Sequence, residues 1–136
     1  MSKKFIFAAV AAFAVFGLAA CGSTVDENGI DSTVVLVVEE ANKSLPMMLD
    51  AQTKLETIVA LPGNKIRFNN VLVDASNEEI NIDAFKSSIG PDIFSNVKTN
   101  PGLESFRKKK VTFVYHYSDQ NGEETAEFEF TPEDYK

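Results

Sequence analysis

The chain has 136 residues, a formal net charge of −7 and a hydrophobic share of 44%. That is enough apolar sequence for one modest core, while the acidic balance repels phosphate backbones and anionic headgroups, so no nucleic acid is expected as a partner. Cys21 is the only cysteine, which excludes an internal disulfide.

Lys3 and Lys4 open the chain with positive charge, Phe5 to Phe16 is uninterrupted apolar sequence, and Gly17 follows. The run is short for a bilayer span and has the flanks of a signal peptide. It ends on Leu18-Ala19-Ala20-Cys21, which resembles the lipobox of bacterial lipoproteins. In that family the bond before the cysteine is cut, here between Ala20 and Cys21, and the cysteine thiol and new amine are acylated. Several acyl chains on one residue give stable anchoring where one would not. The competing reading is an ordinary secretory signal with a chance cysteine. Gly22 follows Cys21 where an aspartate would favour retention in the inner membrane, so the resemblance implies the outer membrane. The expected organisation is a signal peptide over 1–20, a flexible polar tether over 21–31 and a single domain over 32–136.

Asp31 or Ser32 suits an N-cap for a helix running to about Ser44, with Val34, Val35, Val38, Ala41 and Leu45 on one face. The β-branched run Val34 to Val38 also fits a strand; Glu39 to Ser44 favours the helix, and Pro46 stops it. Thr53 to Leu61 and Lys65 to Val73 read as two strands about a Pro62-Gly63-Asn64 turn. Ile66, Phe68 and Leu72 share a face that Asn70 interrupts. Ile82, Phe85, Ile89, Ile93 and Val97 recur at helical steps, with a kink or break expected at Gly90-Pro91. Asn100-Pro101 reads as a cap followed by proline at the first helical position, and a short helix to about Lys108 buries Leu103 and Phe106. Val111, Phe113, Tyr115 and Tyr117 alternate along one strand. Asp119-Gln120-Asn121-Gly122 is a turn, and Ala126, Phe128 and Phe130 alternate along the next strand, with Glu127 and Glu129 on its outer face. The fold class expected is α+β: a four-stranded, mainly antiparallel sheet with helices on one face, in the order α-β-β-α-α-β-β.

Candidate chemistry is sparse. His116 is the only histidine, and no nucleophile elbow accompanies it; mid-strand on the more polar face, it reads first as an ordinary surface histidine. Asp119, Asn121 and Glu123 are spaced like the start of a calcium loop, but the glycine comes at the fourth position rather than the sixth, and a hairpin turn explains them. Arg107-Lys108-Lys109-Lys110 is a basic cluster in an acidic chain. It reads as a solvated loop near a helix C-terminus, where cations are favourable, or as a contact for an acidic partner. No catalytic constellation, metal-ligand cluster or cofactor motif is recognised.

Several short motifs recur in a recognisable layout: Leu45-Pro46 closing a helix, two strands, a helix with Phe85, Thr99-Asn100-Pro101, the stretch Val111 to Asp119 with Gly122, and Thr131-Pro132. From Ser44 to Tyr135 this is similar to a group of small exported bacterial proteins of uncertain function and to the pilotin lipoproteins of type II secretion. The resemblance implies a lipid-anchored α+β domain that binds the C-terminal segment of secretin subunits and carries them to the outer membrane. Relatives carry a cysteine just before the Asn-Pro region and another at the C-terminus; Lys98 and Tyr135 stand in those places here. The expectation is a non-enzymatic, protein-binding lipoprotein of the cell envelope, held to the membrane through lipid on Cys21 and engaging an envelope protein. A secretin pilotin is the specific alternative, and an envelope hydrolase with an unrecognised site is the alternative from another class.

Overall fold

The computed structural model of the chain describes residues 29–136. Within them the order is α1 (Ser32–Asn42), β1 (Met47–Met48), β2 (Thr53–Leu61), β3 (Lys65–Leu72), α2 (Ile82–Thr99), a 3-10 turn (Pro101–Leu103), α3 (Glu104–Lys108), β4 (Thr112–Ser118), β5 (Glu124–Phe130) and α4 (Pro132–Tyr135). The signal peptide expected over 1–20, the lipidation expected at Cys21 and most of the expected tether lie outside the described residues.

The α+β class holds, but the sheet differs from the expected one. It has five strands in spatial order β1-β2-β3-β4-β5 and is mixed, because β3 and β4 run parallel at its centre. The other three pairings are antiparallel. The parallel pair has a plain cause. Parallel neighbours need a long crossover, usually helical, and the segment between β3 and β4 supplies one in α2, the 3-10 turn and α3. The fifth strand, β1, is two residues pairing Met47 with Leu55 and Met48 with Lys54. A fourth helix, α4, closes the chain, with the side chain of Asp134 accepting from the Thr131 backbone.

Alternation decides which face is buried. Ile66, Phe68 and Leu72 of β3 and Phe113, Tyr115 and Tyr117 of β4 are at most 2% exposed. They meet Val34, Val37 and Val38 of α1, Phe85, Ile89, Ile93 and Val97 of α2, and Phe106 of α3 in one cluster. Each such side chain contributes on the order of 1.5–3 kcal/mol. Asn70 lies in this face at 2% exposure, its Nδ2 donating to the carbonyls of Phe68 and His116 at 3.3 and 3.4 Å.

Helix α1 begins where the sequence suggests, with the Asp31 carboxylate accepting from Thr33 N at 2.7 Å. Its buried residues are Thr33, Val34, Val37 and Val38. At its far end Asn42 clamps β2, accepting from Ile58 N at 2.9 Å and donating to Ile58 O at 2.7 Å. Those two side-chain bonds satisfy backbone groups beyond the reach of β1 and so close that edge of the sheet.

Of the kink or break expected at Gly90-Pro91, the break does not occur: helix α2 is continuous through both residues. Ser87, whose carbonyl loses its partner to proline, is exposed, as is Pro91, so water can take the freed acceptor. The buried stripe Phe85, Ile89, Ile93 and Val97 continues on both sides of the proline. A Cβ on Gly90 would lie 3.3 Å from Phe128 Cε1, so the bare backbone lets α2 approach β5 closely. As expected, Asn100 caps the next turn, its side chain accepting from Gly102 N at 2.8 Å.

Candidate functional site

A network of side-chain hydrogen bonds sits where the β3–α2 loop meets the β4–β5 hairpin. Asp119, 1% exposed, accepts three backbone N–H groups: Asn77 on Oδ2 at 2.8 Å, and Asn121 and Glu123 on Oδ1 at 2.9 Å each. The residues resembling a calcium loop are therefore a turn organised around one carboxylate. The Asn77 N–H, with help from the Glu123 and Asn121 donors, outweighs burial and holds the Asp119 carboxyl below its ordinary value. Asn77 in turn donates through Nδ2 to Glu124 O at 2.9 Å and accepts from Thr125 Oγ1 at 2.5 Å.

That clamp fixes an irregularity in the ladder. Tyr117 faces Ala126 and Ser118 faces Glu124, so Thr125 is the extra residue on β5. Such a bulge re-aims side chains. On a regular strand Glu124 and Glu127 would point to opposite faces; here both reach His116. His116 Nδ1 lies 3.1 Å from Glu127 Oε2 and 3.4 Å from Glu124 Oε1. The sequence points to His116 and to the outer-face position of Glu127 and Glu129, but nothing in it marks the bulge, and Glu124 is missed for that reason.

Further along the same outer face, Lys65 reaches Glu129 at 2.9 Å and Arg67 reaches Glu127 at 3.6 Å. Both pairs run from β3 to β5 across β4, so their aliphatic stems cover Thr112 and Val114, which are 9% and 6% exposed on what is nominally the open side. The carboxylates themselves stay half in water. Glu129→Ala is accordingly expected to change stability by no more than about 1 kcal/mol. A urea titration showing a larger loss would mean that the ladder, not the aromatic face, holds β5.

The basic run 107–110 is divided among separate tasks. Arg107 donates through Nη1 to Val97 O at 2.9 Å and Asn100 O at 2.8 Å, capping the C-terminus of α2. Lys109 reaches Asp31 at 3.2 Å, where burial raises the carboxyl but the Thr33 donors and Lys109 together hold it low. Asp31, placed by the sequence at the end of the tether, is thus stitched into the fold. Lys108 pairs with Glu104 at 3.5 Å, and Lys110, at φ 56°, is exposed. Lys108 and Lys110 are the members of the run whose side chains face solvent.

An apolar gap of about 10 Å³ between α1, α3 and the sheet is lined by Val37, Val38, Ala41, Ile58, Phe68, Leu103 and Phe106. It is no larger than one water and has no polar partner for one, so it is a packing defect rather than a ligand site. Burial pushes the Tyr115 and Tyr117 hydroxyls upward, which keeps both neutral. No helix of the described residues is long and apolar enough to cross a membrane.

No family model and no curated protein matches the sequence. The fold, in contrast, has solved counterparts. A Pseudomonas aeruginosa protein described as secreted superposes with a TM-score of 0.66 at 12% identity, covering 77% of this chain and 91% of its own. A pilotin of the Vibrio vulnificus type 2 secretion system, EpsS, gives 0.52 at 12% identity over 77% of this chain and 90% of its own. The type II secretion system pilotin AspS of Vibrio cholerae gives 0.50 at 13% identity over 71% and 84%. The likeness is one of fold. Of the two positions where the pilotin resemblance implies cysteines, Lys98 carries its ammonium 5.1 Å from the Phe94 ring centroid. Tyr135 donates to Val111 O at 2.7 Å and packs edge-on against Phe113.

Proposed function

We propose that the chain is a lipid-anchored lipoprotein of the cell envelope that acts by binding another envelope protein, in the manner of a type II secretion pilotin, with secretin subunits as the partner. The observation that carries this reading is the fold shared with two pilotins over most of their length. The lipobox at Leu18 to Cys21 supports it, since a carrier of outer-membrane subunits has to be sorted there itself. The exposed Lys108 and Lys110 offer contacts to an acidic segment of the partner. Pilotin neighbours favour a carrier over a hydrolase, and we infer that the chain is not an enzyme.

Two experiments test the reading. Cys21→Ser should abolish incorporation of labelled fatty acid and release the protein from the membrane fraction; label on the variant, or a soluble parent protein, would refute the anchor. Deletion of the protein should shift secretin subunits from outer- to inner-membrane fractions, and the parent chain but not Cys21→Ser should restore them. Unchanged secretin fractionation in the deletion strain would refute the carrier role while leaving the anchor untouched.

A further inference from the structure

We propose that His116, Glu124 and Glu127 form a binding site for one divalent transition-metal ion, Zn(II) by preference, on the outer face of the sheet. Their ligand atoms all lie within 4.8 Å of one another, and they are one such group of metal-ligating side chains among the described residues. The inference stands on the geometry of this corner and is independent of the carrier reading.

Three observations carry it. First, both carboxylates converge on the same ring nitrogen, Nδ1, at 3.1 and 3.4 Å. One nitrogen offers one proton, so a hydrogen bond accounts for one carboxylate and leaves the other aimed at an atom already engaged. Second, the distances suit a metal. Ligands held about 2.0–2.2 Å from a tetrahedral ion stand about 3.3–3.6 Å apart, close to the two separations seen, and the exposed glutamates have freedom to adjust. Third, the convergence is built into the backbone. The extra residue Thr125, tied to Asn77, turns Glu124 to the face of Glu127 and His116, which a regular strand would forbid.

Imidazole nitrogen with two carboxylate oxygens is a donor set suited to Zn(II), with water completing the tetrahedron. His116 supplies the least mobile ligand, its side chain 16% exposed, against 64% for Glu124 and 44% for Glu127. Arg67 is the competing cation, its Nη2 lying 3.6 Å from Glu127 Oε2. An entering ion must displace that contact, so removing the guanidinium should tighten binding. For an exposed pair of this kind the gain should be up to about fivefold.

The test uses the full chain carrying Cys21→Ser in detergent, so that no thiol competes, with Zn(II) alone as titrant in calorimetry. The expected result is one equivalent bound. His116→Ala and Glu124→Gln should each weaken it more than the about 10–100-fold typical of losing an outer-shell partner. Glu123→Gln, a neighbouring exposed carboxylate, should leave it unchanged, and Arg67→Ala should tighten it. Because the chain has one histidine, its imidazole nitrogen resonances report directly, and Nδ1 should shift on Zn(II) addition. Absence of binding, equal binding by His116→Ala with its melt intact, or binding that leaves the imidazole signal unmoved would each overturn the proposal.

Discussion

Phe113→Ala is expected to lower stability by about 3–5 kcal/mol, the usual cost of truncating a fully buried phenylalanine. Phe113 is 0% exposed on the interior strand β4. Its ring lies edge-on to Phe106 at 6.2 Å and to Tyr135 at 5.4 Å, and stacks with Phe68 at 6.5 Å. Those three rings come from α3, α4 and β3, so the cavity left by alanine would be shared by elements distant in sequence and could not collapse locally. Phe128 is the control. It faces the same side from β5 but is only half-buried beside Gly90 and Tyr117, so Phe128→Ala should cost distinctly less. For a domain whose whole stability is about 5–15 kcal/mol, the first variant should sit near its unfolding threshold. Urea titrations with unchanged slopes would make the comparison; a loss at Phe128 equal to that at Phe113 would mean that the core is centred on β5 instead of β4.

The contrast also shows what was legible beforehand. The period-two alternation through Val111, Phe113, Tyr115 and Tyr117 reveals the buried face of β4, because burial of one face forces that pattern. The same reasoning places Glu127 and Glu129 outward on β5, where they lie. Helix α2 is equally plain in Phe85, Ile89, Ile93 and Val97. Which strands become neighbours is not written in any local pattern. Two hairpins can join through several edges, and the parallel contact of β3 with β4 is settled by where the intervening helices pack, a non-local matter. The two residues of β1 are too few for any period to show. The break expected at Pro91 fails because propensity there competes with four buried apolar side chains on one stripe. At the candidate metal corner, His116 is visible as the lone histidine, whereas Glu124 joins it only through a bulge that Asn77 stabilises from 48 residues away at Thr125. A side-chain clamp between distant loops leaves no periodic trace.

Asp119→Asn is expected to lower the melting temperature at neutral pH, although the replacement is almost isosteric. The three groups facing the carboxylate are all N–H donors, from Asn77, Asn121 and Glu123. A carboxylate accepts at both oxygens; an amide accepts at one and donates at the other. Either orientation of asparagine therefore sets an NH₂ against a backbone N–H and leaves at least one donor unpaired in a site that is 1% exposed. The loss should reach beyond the turn, since Asp119 holds Asn77, and Asn77 holds Thr125 and the backbone of Glu124. The pH dependence separates charge from shape. The Asn77 donor and its neighbours hold the folded-state carboxyl below its ordinary value, so the folded state binds the proton less readily than the unfolded chain does. The stability that Asp119 contributes is then fully present above the unfolded value of about 3.9, and is lost as pH falls through the lower folded-state value. The gap in melting temperature between the parent chain and Asp119→Asn should accordingly be constant from about pH 5 to 8 and narrow at more acid pH. A gap that widens in acid would show that Asp119 is already protonated in the fold. A gap absent at neutral pH would show that the turn closes without the carboxylate.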